Sequence, residues 1–468
     1  MKQYLLSICI LPIWSISVSA DSNQALDAWR AFSTKTGNPD HARWVEEISK
    51  PEAIKLAKQW KELRGYDAYD LLAKANVAEG FKTGVTINKS DAAKYPWLKK
   101  YMADEMYQAL STKEGYIDSV SIVPTNTYYM HAGVLKATQA MIDNNITPVT
   151  DANSTLLNPD GTATLLNDDT AAAIPYLHPK DGLELNWDYV AHGIGTETGF
   201  FDPIEANACG SDGKMEREYV AMLWWQKFHG RSLIGDEKNI FGMDEFIEGG
   251  SIFALAPYDI QGFAGVRLRY GIGKKADDFK IYLPATNRTR LLSGTDSQDP
   301  MWAGLELSWD DWRAHWGKTD LDQFEYKLLG ETLILASPEV GYIYDSRKLD
   351  SSGCRIEAME LELRPVWILE ITDKTGAYQY KKRTTYIDKE FYYMQYHLTT
   401  DQRDTPFRTW DDSRAWRPTD GDSQWRHITI HNEINNRINM MHVSPVWDGR
   451  AEEVTEELFD VDQLRDYQ

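Results

Sequence analysis

Residues 364–400 read RPVWILEITDKTGAYQYKKRTTYIDKEFYYMQYHLTT, and the alternation of large apolar and polar side chains predicts three consecutive antiparallel strands. In the first, Trp367, Leu369 and Ile371 share one face while Val366 and Ile368 occupy the other, because side chains alternate across a strand. Asp373-Lys374-Thr375-Gly376 supplies the turn, with Gly376 free to take positive φ. In the second strand Tyr378, Tyr380 and Tyr386 alternate with Lys381, Arg383 and Thr385. In the third, Tyr392, Met394, Tyr396 and Leu398 share a face. A sheet this aromatic, crossed by no catalytic signature, points to a binding surface before it points to chemistry.

Upstream, the two-residue period begins at Ser251. SIFALAPY, GFAGVRLRYG, DDFKIYLP and TNRTRLL read as four strands separated by Gly-, Pro- and Asp-rich turns. A polar and aromatic interlude from Trp302 to Trp316 follows, centred on Trp309, Asp310, Asp311 and Trp312. Strands resume at Phe324 to Leu335, and QWRHITIH with the stretch before Pro445 supplies the last ones. Residues 452–467 read as an acidic amphipathic helix.

The N-terminal part has a helical period instead. Pro51 stands where a helix would begin, with Ile54, Ala57 and Leu63 near one face. Residues 151–169 are polar and turn-rich, and Asp181 is placed to cap a helix from Leu183 to Val190. Helices first and strands afterwards predict an α+β fold. The expected division is a leader at 1–20, a mainly helical region at 21–150, loop and covering helices at 151–250, and at 251–468 an antiparallel sheet domain with a C-terminal helix.

The leader expectation rests on MKQYLLSICILPIWSISVSA: a positive Lys2, an apolar core from Tyr4 to Ile16 and the small-residue site Val18-Ser19-Ala20. Cleavage after Ala20 would leave an exported, soluble mature chain. The formal charge of −21 disfavours nucleic acid and anionic lipid surfaces at long range. Cys209 and Cys354 remain after cleavage, and in an oxidising compartment such a pair is expected to form a structural disulfide, the alternative being two free thiols.

No GxSxG, HExxH, P-loop or GxGxxG pattern occurs, so catalytic residues, a metal and a cofactor are all expected to be none. His427 and His431, with His442 nearby, form the best metal candidate, but the first two stand about 13 Å apart along one strand. Asp310-Asp311 between two Trp residues could serve acid/base work on a stacked sugar, or be an ordinary acidic pair. Arg267, Arg269, Arg288 and Arg290 need either carboxylate partners such as Asp277, Asp278 or the Trp309–Trp312 segment, or an anionic headgroup.

Three segments carry a resemblance: IPYLHPKDGLELNW, FKIYLPATNRTRLLSG followed by LSWDDW, and RPVWILE with YKKRTTYIDKEFYYMQY. Together they resemble domain-of-unknown-function family 1329 and the broader group of outer-membrane lipoprotein-sorting proteins. The resemblance implies a fold similar to the carriers LolA and LolB: a curved, unclosed antiparallel sheet (a half-barrel) covered by helices, with an apolar cavity between. It also implies a periplasmic location and a lipid-like ligand. Arg288 and Arg290 match the family's arginine strand, and Arg383, Tyr386 and Asp388 its C-terminal hairpin.

The leading expectation is therefore a non-enzymatic periplasmic protein that binds or transfers a hydrophobic, lipid-like ligand. Trp367, Leu369, Tyr386 and Tyr393 are candidate wall residues, with Arg288 and Arg290 as headgroup contacts. The alternatives are an exported hydrolase acting on a glycan or lipid through Asp310, Asp311 or a His427/His431 site, and a component that docks on an envelope transporter or outer-membrane partner.

Overall fold

The computed structural model describes residues 23–193, 195–232, 238–293, 296–316, 318–447 and 453–467; the expected leader lies outside them. The chain opens with four helices, α1 Gln24–Thr36, α2 Pro39–Ile48, α3 Pro51–Arg64 and α4 Ala68–Lys74. Their boundaries follow local chemistry. Asn23 and Asn38 cap α1 and α2 through their side chains, Pro39 and Pro51 open helices, and Gly37 and Gly65 end α1 and α3 in the left-handed region. The buried face of α3 is Ala53, Leu56, Trp60 and Arg64, whereas Ile54 is exposed. Ala57 and Leu63 of the expected face are half-buried against the core, and Ile54 alone departs, because the face is centred on Trp60, which has the largest apolar surface to bury.

Short elements follow: β1 Thr86–Asn88, α5 Pro96–Tyr101, α6 Asp104–Ser111, β2 Ser119–Ile122, α7 Ala132–Asp143, β3 Val149–Thr150, β4 Leu156–Leu157 and α8 Gly182–His192. Asp181 caps α8 by accepting from the amides of Leu183 and Glu184. Six strands come next, β5 Thr198–Cys209, β6 Met215–Lys227, β7 Phe246–Ala256, β8 Ala264–Tyr270, β9 Asp278–Leu283 and β10 Arg288–Leu291. The expectation of loop and covering helices over 151–250 is thus corrected. That stretch supplies β5, β6 and the start of β7, whose nearly continuous apolar runs hide the strand period. The remainder is β11 Phe324–Ala336, β12 Arg347–Leu349, β13 Ile356–Asp373, β14 Lys382–Asp388, β15 Met394–Thr400, β16 Pro406–Trp416, β17 Ser423–Asn432, β18 Arg437–Pro445 and the one-turn α9 Val461–Leu464.

All strands except β3 and β4 join one sheet in the order β1-β2-β13-β14-β15-β16-β17-β18-β5-β6-β7-β8-β9-β10, with β11 and β12 also pairing β13. Pairing is antiparallel apart from β2 with β13, so the sheet is mixed, and its two ends, β1 and β10, do not meet. Curvature follows from one observation. Trp425 on β17 and Phe279 on β9 line the same small cavity, yet six strand spacings separate them. A flat sheet would hold them about 29 Å apart at ~4.8 Å per spacing.

The concave face buries the main core, including Trp367, Leu369, Ile387, Ile428 and Met441, under α1–α3, α8 and the Trp-rich segment 301–316. Residues 87–117 cover the opposite face near β13, and the C-terminal tail covers it near β6–β8. Helical region and sheet are locked by a fully buried ion network. Arg364 on β13 donates to Asp388 (2.8 Å), Glu390 (2.8 Å) and the Asn126 carbonyl (2.6 Å), and Arg64 of α3 donates to the Glu390 carbonyl (2.6 Å). Burial pushes Glu362 up to about 7 against the pull of Arg364.

Cys209, the last residue of β5, is bonded to Cys354 just before β13, with Cα atoms 5.8 Å apart. The bridge closes a separation of 145 residues, worth at most ~5 kcal/mol in chain entropy.

The opening three-strand expectation needs two corrections. Residues 378–381 are a connection rather than part of β14, because the Tyr378 and Tyr380 hydroxyls are drawn to Asp310 and Asp311. Tyr392 lies outside β15 with φ of 59°, and a bulge sets Ile387 opposite Met394 but Tyr386 opposite Tyr396. The extra residue Gln395 places Met394 in the concave core and Tyr396 on the other face.

Candidate functional site

The strand period of β6–β9 points Leu223, Trp225, Ile252, Arg267 and Phe279 into the concavity, where Trp425 of β17 meets them. Facing them is the interlude 301–316, which packs Trp309 against Phe279 (ring centroids 5.1 Å) and Phe263 (6.0 Å), and Trp312 against Trp425 (5.7 Å). Trp302 stacks on Tyr219 at 5.2 Å. Two glycines make this approach possible. A Cβ on Gly250 would stand 2.5 Å from the Trp316 ring, and one on Gly265 would crowd the Ile252 side chain of the same wall at 3.2 Å. The cavity left between these walls is about 30 Å³, against roughly 300–1,000 Å³ for small-molecule pockets. The concavity is occupied by the protein's own Trp-rich segment.

Polar contacts fasten that segment. Asp310 accepts from Arg267 (3.1 Å) and from the Tyr378 hydroxyl (2.8 Å). Asp311 accepts from the Ser308 amide (2.9 Å), the Tyr380 hydroxyl (2.9 Å) and Arg408 (3.4 Å). Each of the four carboxylate oxygens therefore has a protein donor, and the pair fastens the segment to β8 and to residues 378–380. Arg267 and Arg269 share Asp277, at 2.9 Å each. Burial alone would raise Asp277, but Arg269 and Arg267 outweigh it and hold the carboxyl at about 2. Arg313 and the Trp316 indole both donate to Glu248 (3.1 and 2.7 Å), closing the far end.

Four buried donors at the cavity have no hydrogen-bond partner among the described residues: the indole N–H groups of Trp225 and Trp425, the Nε of Arg313 and the hydroxyl of Ser251. Trp225 and Arg313 also line an adjoining polar cavity of about 20 Å³ with His131, His192, Glu197 and Lys227. There burial lowers the pKa of Lys227, and it depresses His192 to about 3. Lys227 is held by the Ala171 carbonyl at 2.6 Å.

The residues expected to form a wall do not converge. Trp367 and Leu369 are buried in the concave core on β13, and Tyr393 joins that core with its hydroxyl 3.2 Å from Ser423 and its ring under Arg414. None of these three lines the cavity. Tyr386 faces the other side, because its partner across the ladder is Ile368 while that of Trp367 is Ile387. Arg288 and Arg290 stand exposed on the edge strand β10, where Arg290 opposes Ile281 in register and so shares the concave face with Phe279 and Arg267. Arg383 is buried against Tyr378, and Asp388 serves Arg364. His431 is hydrogen-bonded to Glu433 and Asn436 at 2.8 Å each, whereas His427 stands beside His442 and Asp345.

Sequence reasoning noticed the Trp309–Trp312 interlude and missed its role. The signal was there: four Trp residues at 302–316 around two acids, too apolar for a solvated loop. Trp225 and Trp425 were also missed, since nothing local marks a Trp on one strand as the partner of another three strands away.

Several solved structures are similar to the chain. A putative outer membrane lipoprotein-sorting protein domain from Vibrio parahaemolyticus shares 15% identity, with a TM-score of 0.42 over 61% of this chain and 98% of that one. A DUF1329 family protein from Desulfovibrio piger shares 16%, with a TM-score of 0.40 over 57% and 92%. A LolA superfamily protein from Nitrosomonas europaea shares 9%, with a TM-score of 0.31 over 53% and 84%. Among curated proteins none matches the chain in sequence. No helix among the described residues is long and apolar enough to cross a membrane. The model of the family described as protein of unknown function (DUF1329) matches residues 86–465, from β1 through α9, and the chain belongs to that family.

Proposed function

We propose that this protein is a non-enzymatic, periplasmic binding or transfer protein for an amphipathic, lipid-like molecule, and that its site is the aromatic concavity now filled by residues 301–316. The observation that carries this reading is the pairing of apolar walls with unpartnered donors on Trp225, Trp425 and Arg313. Such a lining suits an apolar body with an acceptor-bearing head, because a buried donor left unmade costs about 1–3 kcal/mol. A ligand enters by taking the place of Trp309, Trp312 and Trp316. Burying an acyl chain of about 16 carbons would gain roughly 13 kcal/mol at ~0.8 kcal/mol per CH₂. Displacing three buried Trp side chains costs a comparable part of that, so exchange stays reversible and hand-over to an envelope partner is possible. On this reading Arg288 and Arg290, exposed on the same face at the sheet edge, meet a headgroup during entry.

Mass spectrometry of an organic extract from protein purified gently out of a Gram-negative periplasm is the test. One amphiphile per chain, lost when Trp225 and Trp425 are both changed to Ala, supports the reading. A lipid-free protein that also takes up no fluorescent fatty-acid probe would sink it.

A further inference from the structure

On the opposite face of the sheet, ladder register builds a second constellation. His427 of β17 is paired directly with His442 of β18, and His442 directly with Glu205 of β5. Partners across a ladder point to the same side. That side is the outer one, since their neighbours Ile428, Met441 and Ala206 lie in the concave core. Three adjacent strands therefore set two imidazoles and a carboxylate in a row. Asp345, two residues before β12, comes over the row with Oδ1 3.4 Å from His427 Nε2.

One ligand atom each from Asp345, His427 and His442 falls within 4.8 Å of the others, and Glu205 Oε2 is 3.7 Å from His442 Nδ1. His427 is 5% exposed, and its Nε2 has no hydrogen-bond partner among the described residues. An open groove of about 500 Å³, lined also by Glu218 and Met440, leads to the cluster. Beside Lys348, which lines the groove but is paired with Glu357 at 2.7 Å, two features oppose a cation. Arg426 already donates to both oxygens of Asp345, at 2.6 and 3.1 Å, and Arg347 lines the groove. Neither blocks the site. Arg347 is committed to Asp411 at 2.7 Å, and a carboxylate oxygen has a second lone pair for an ion when one is used by a guanidinium.

We infer that His427, His442 and Asp345 form a binding site for a divalent transition-metal cation of the zinc class, with Glu205 as a further ligand or as the partner that orients His442. Two imidazoles and a carboxylate are a donor set that zinc accepts, at ~2.0–2.2 Å per ligand. Only small movements are needed, because His442 is 31% exposed and its ring already lies 5.1 Å from that of His427. Positions left open face the groove, so the ion would hold water or an anionic group there. The site stands apart from the amphiphile reading and does not depend on it.

The experiment uses the full mature chain without an affinity tag, stripped with a chelator and titrated with Zn²⁺ alone by calorimetry and against a chromophoric competitor. The expected result is one ion per chain, bound at least about tenfold more weakly in both His442→Ala and Asp345→Asn. Both variants alter groove-exposed side chains, and circular dichroism checks that they stay folded. Absence of binding in the wild type, or binding that both variants retain unchanged, overturns the proposal.

Discussion

The Oδ1 of Asp310 lies 3.1 Å from Nη1 of Arg267, and through that contact the Trp-rich segment is fastened to the floor of the sheet. Arg267 in turn holds the Trp309 and Trp316 carbonyls, at 3.2 and 3.1 Å, so one side chain of β8 grips the segment at three points. Apolar rings fill the concavity and polar groups decide whether they stay.

Weakening that grip should loosen the segment without unfolding the sheet. In Asp310→Asn the amide keeps an acceptor but loses the charge, and an expected ~1–3 kcal/mol is lost locally. Hydrogen exchange should quicken across 301–316 and remain slow in β13 and β14. Uniform acceleration would mean the segment is not a separable unit.

Gly250→Ala places a methyl 2.5 Å from the Trp316 ring. Overpacking of this kind costs about 1–3 kcal/mol. Chemical denaturation should show that loss, and an aqueous quencher should reach more of the Trp fluorescence than in the wild type.

Arg288 and Arg290 have exposed side chains on β10. Changing both to Ala should alter stability by no more than about 0.5 kcal/mol. Uptake of an anionic fluorescent fatty acid should slow, and added salt should slow the wild type toward the same rate.

Asp277 gives a pH dependence with a definite sign. Its folded pKa of about 2 lies below the ordinary carboxylate value of 3.8, so its stabilisation is fully present above pH 4 and is lost as pH falls toward 2. The shift corresponds to about 2 kcal/mol. Wild type and Asp277→Asn should therefore differ in stability at pH 5, and the difference should shrink by about that amount at pH 2.

Replacing both Cys209 and Cys354 with Ala should cost about 2–5 kcal/mol. Thermal unfolding with and without reductant would measure it, and reductant should no longer matter in the double variant.

Much of the architecture could be read from the chain because the deciding signals are local. The strands from Gly262 to Leu292 show their period because charged residues alternate with apolar ones, Arg267 and Arg269 with Val266 and Leu268, and Lys280 with Phe279 and Ile281, and Pro51, Asp181 and the glycines after α1 and α3 mark helix ends through backbone chemistry alone. β5 and β6 escaped notice where both faces are covered, so apolar residues such as Phe200, Phe201, Leu223 and Trp224 follow one another without alternation. The Arg267–Asp277 pairing was foreseeable because ten residues and one turn separate the two.

What the sequence determined by itself is the alternation, the turns, the caps and the two cysteines available to pair, since each depends on residues near one another in the chain or on composition. Only the tertiary structure decided which face Tyr396 takes, that Trp309 and Trp312 plug the concavity, and that His442 rather than His431 stands beside His427. Those outcomes depend on a one-residue bulge at Gln395, on curvature summed over six strand spacings, and on the register of separate ladders. A single residue of slip reverses every face, so such facts exist only once the whole sheet is assembled.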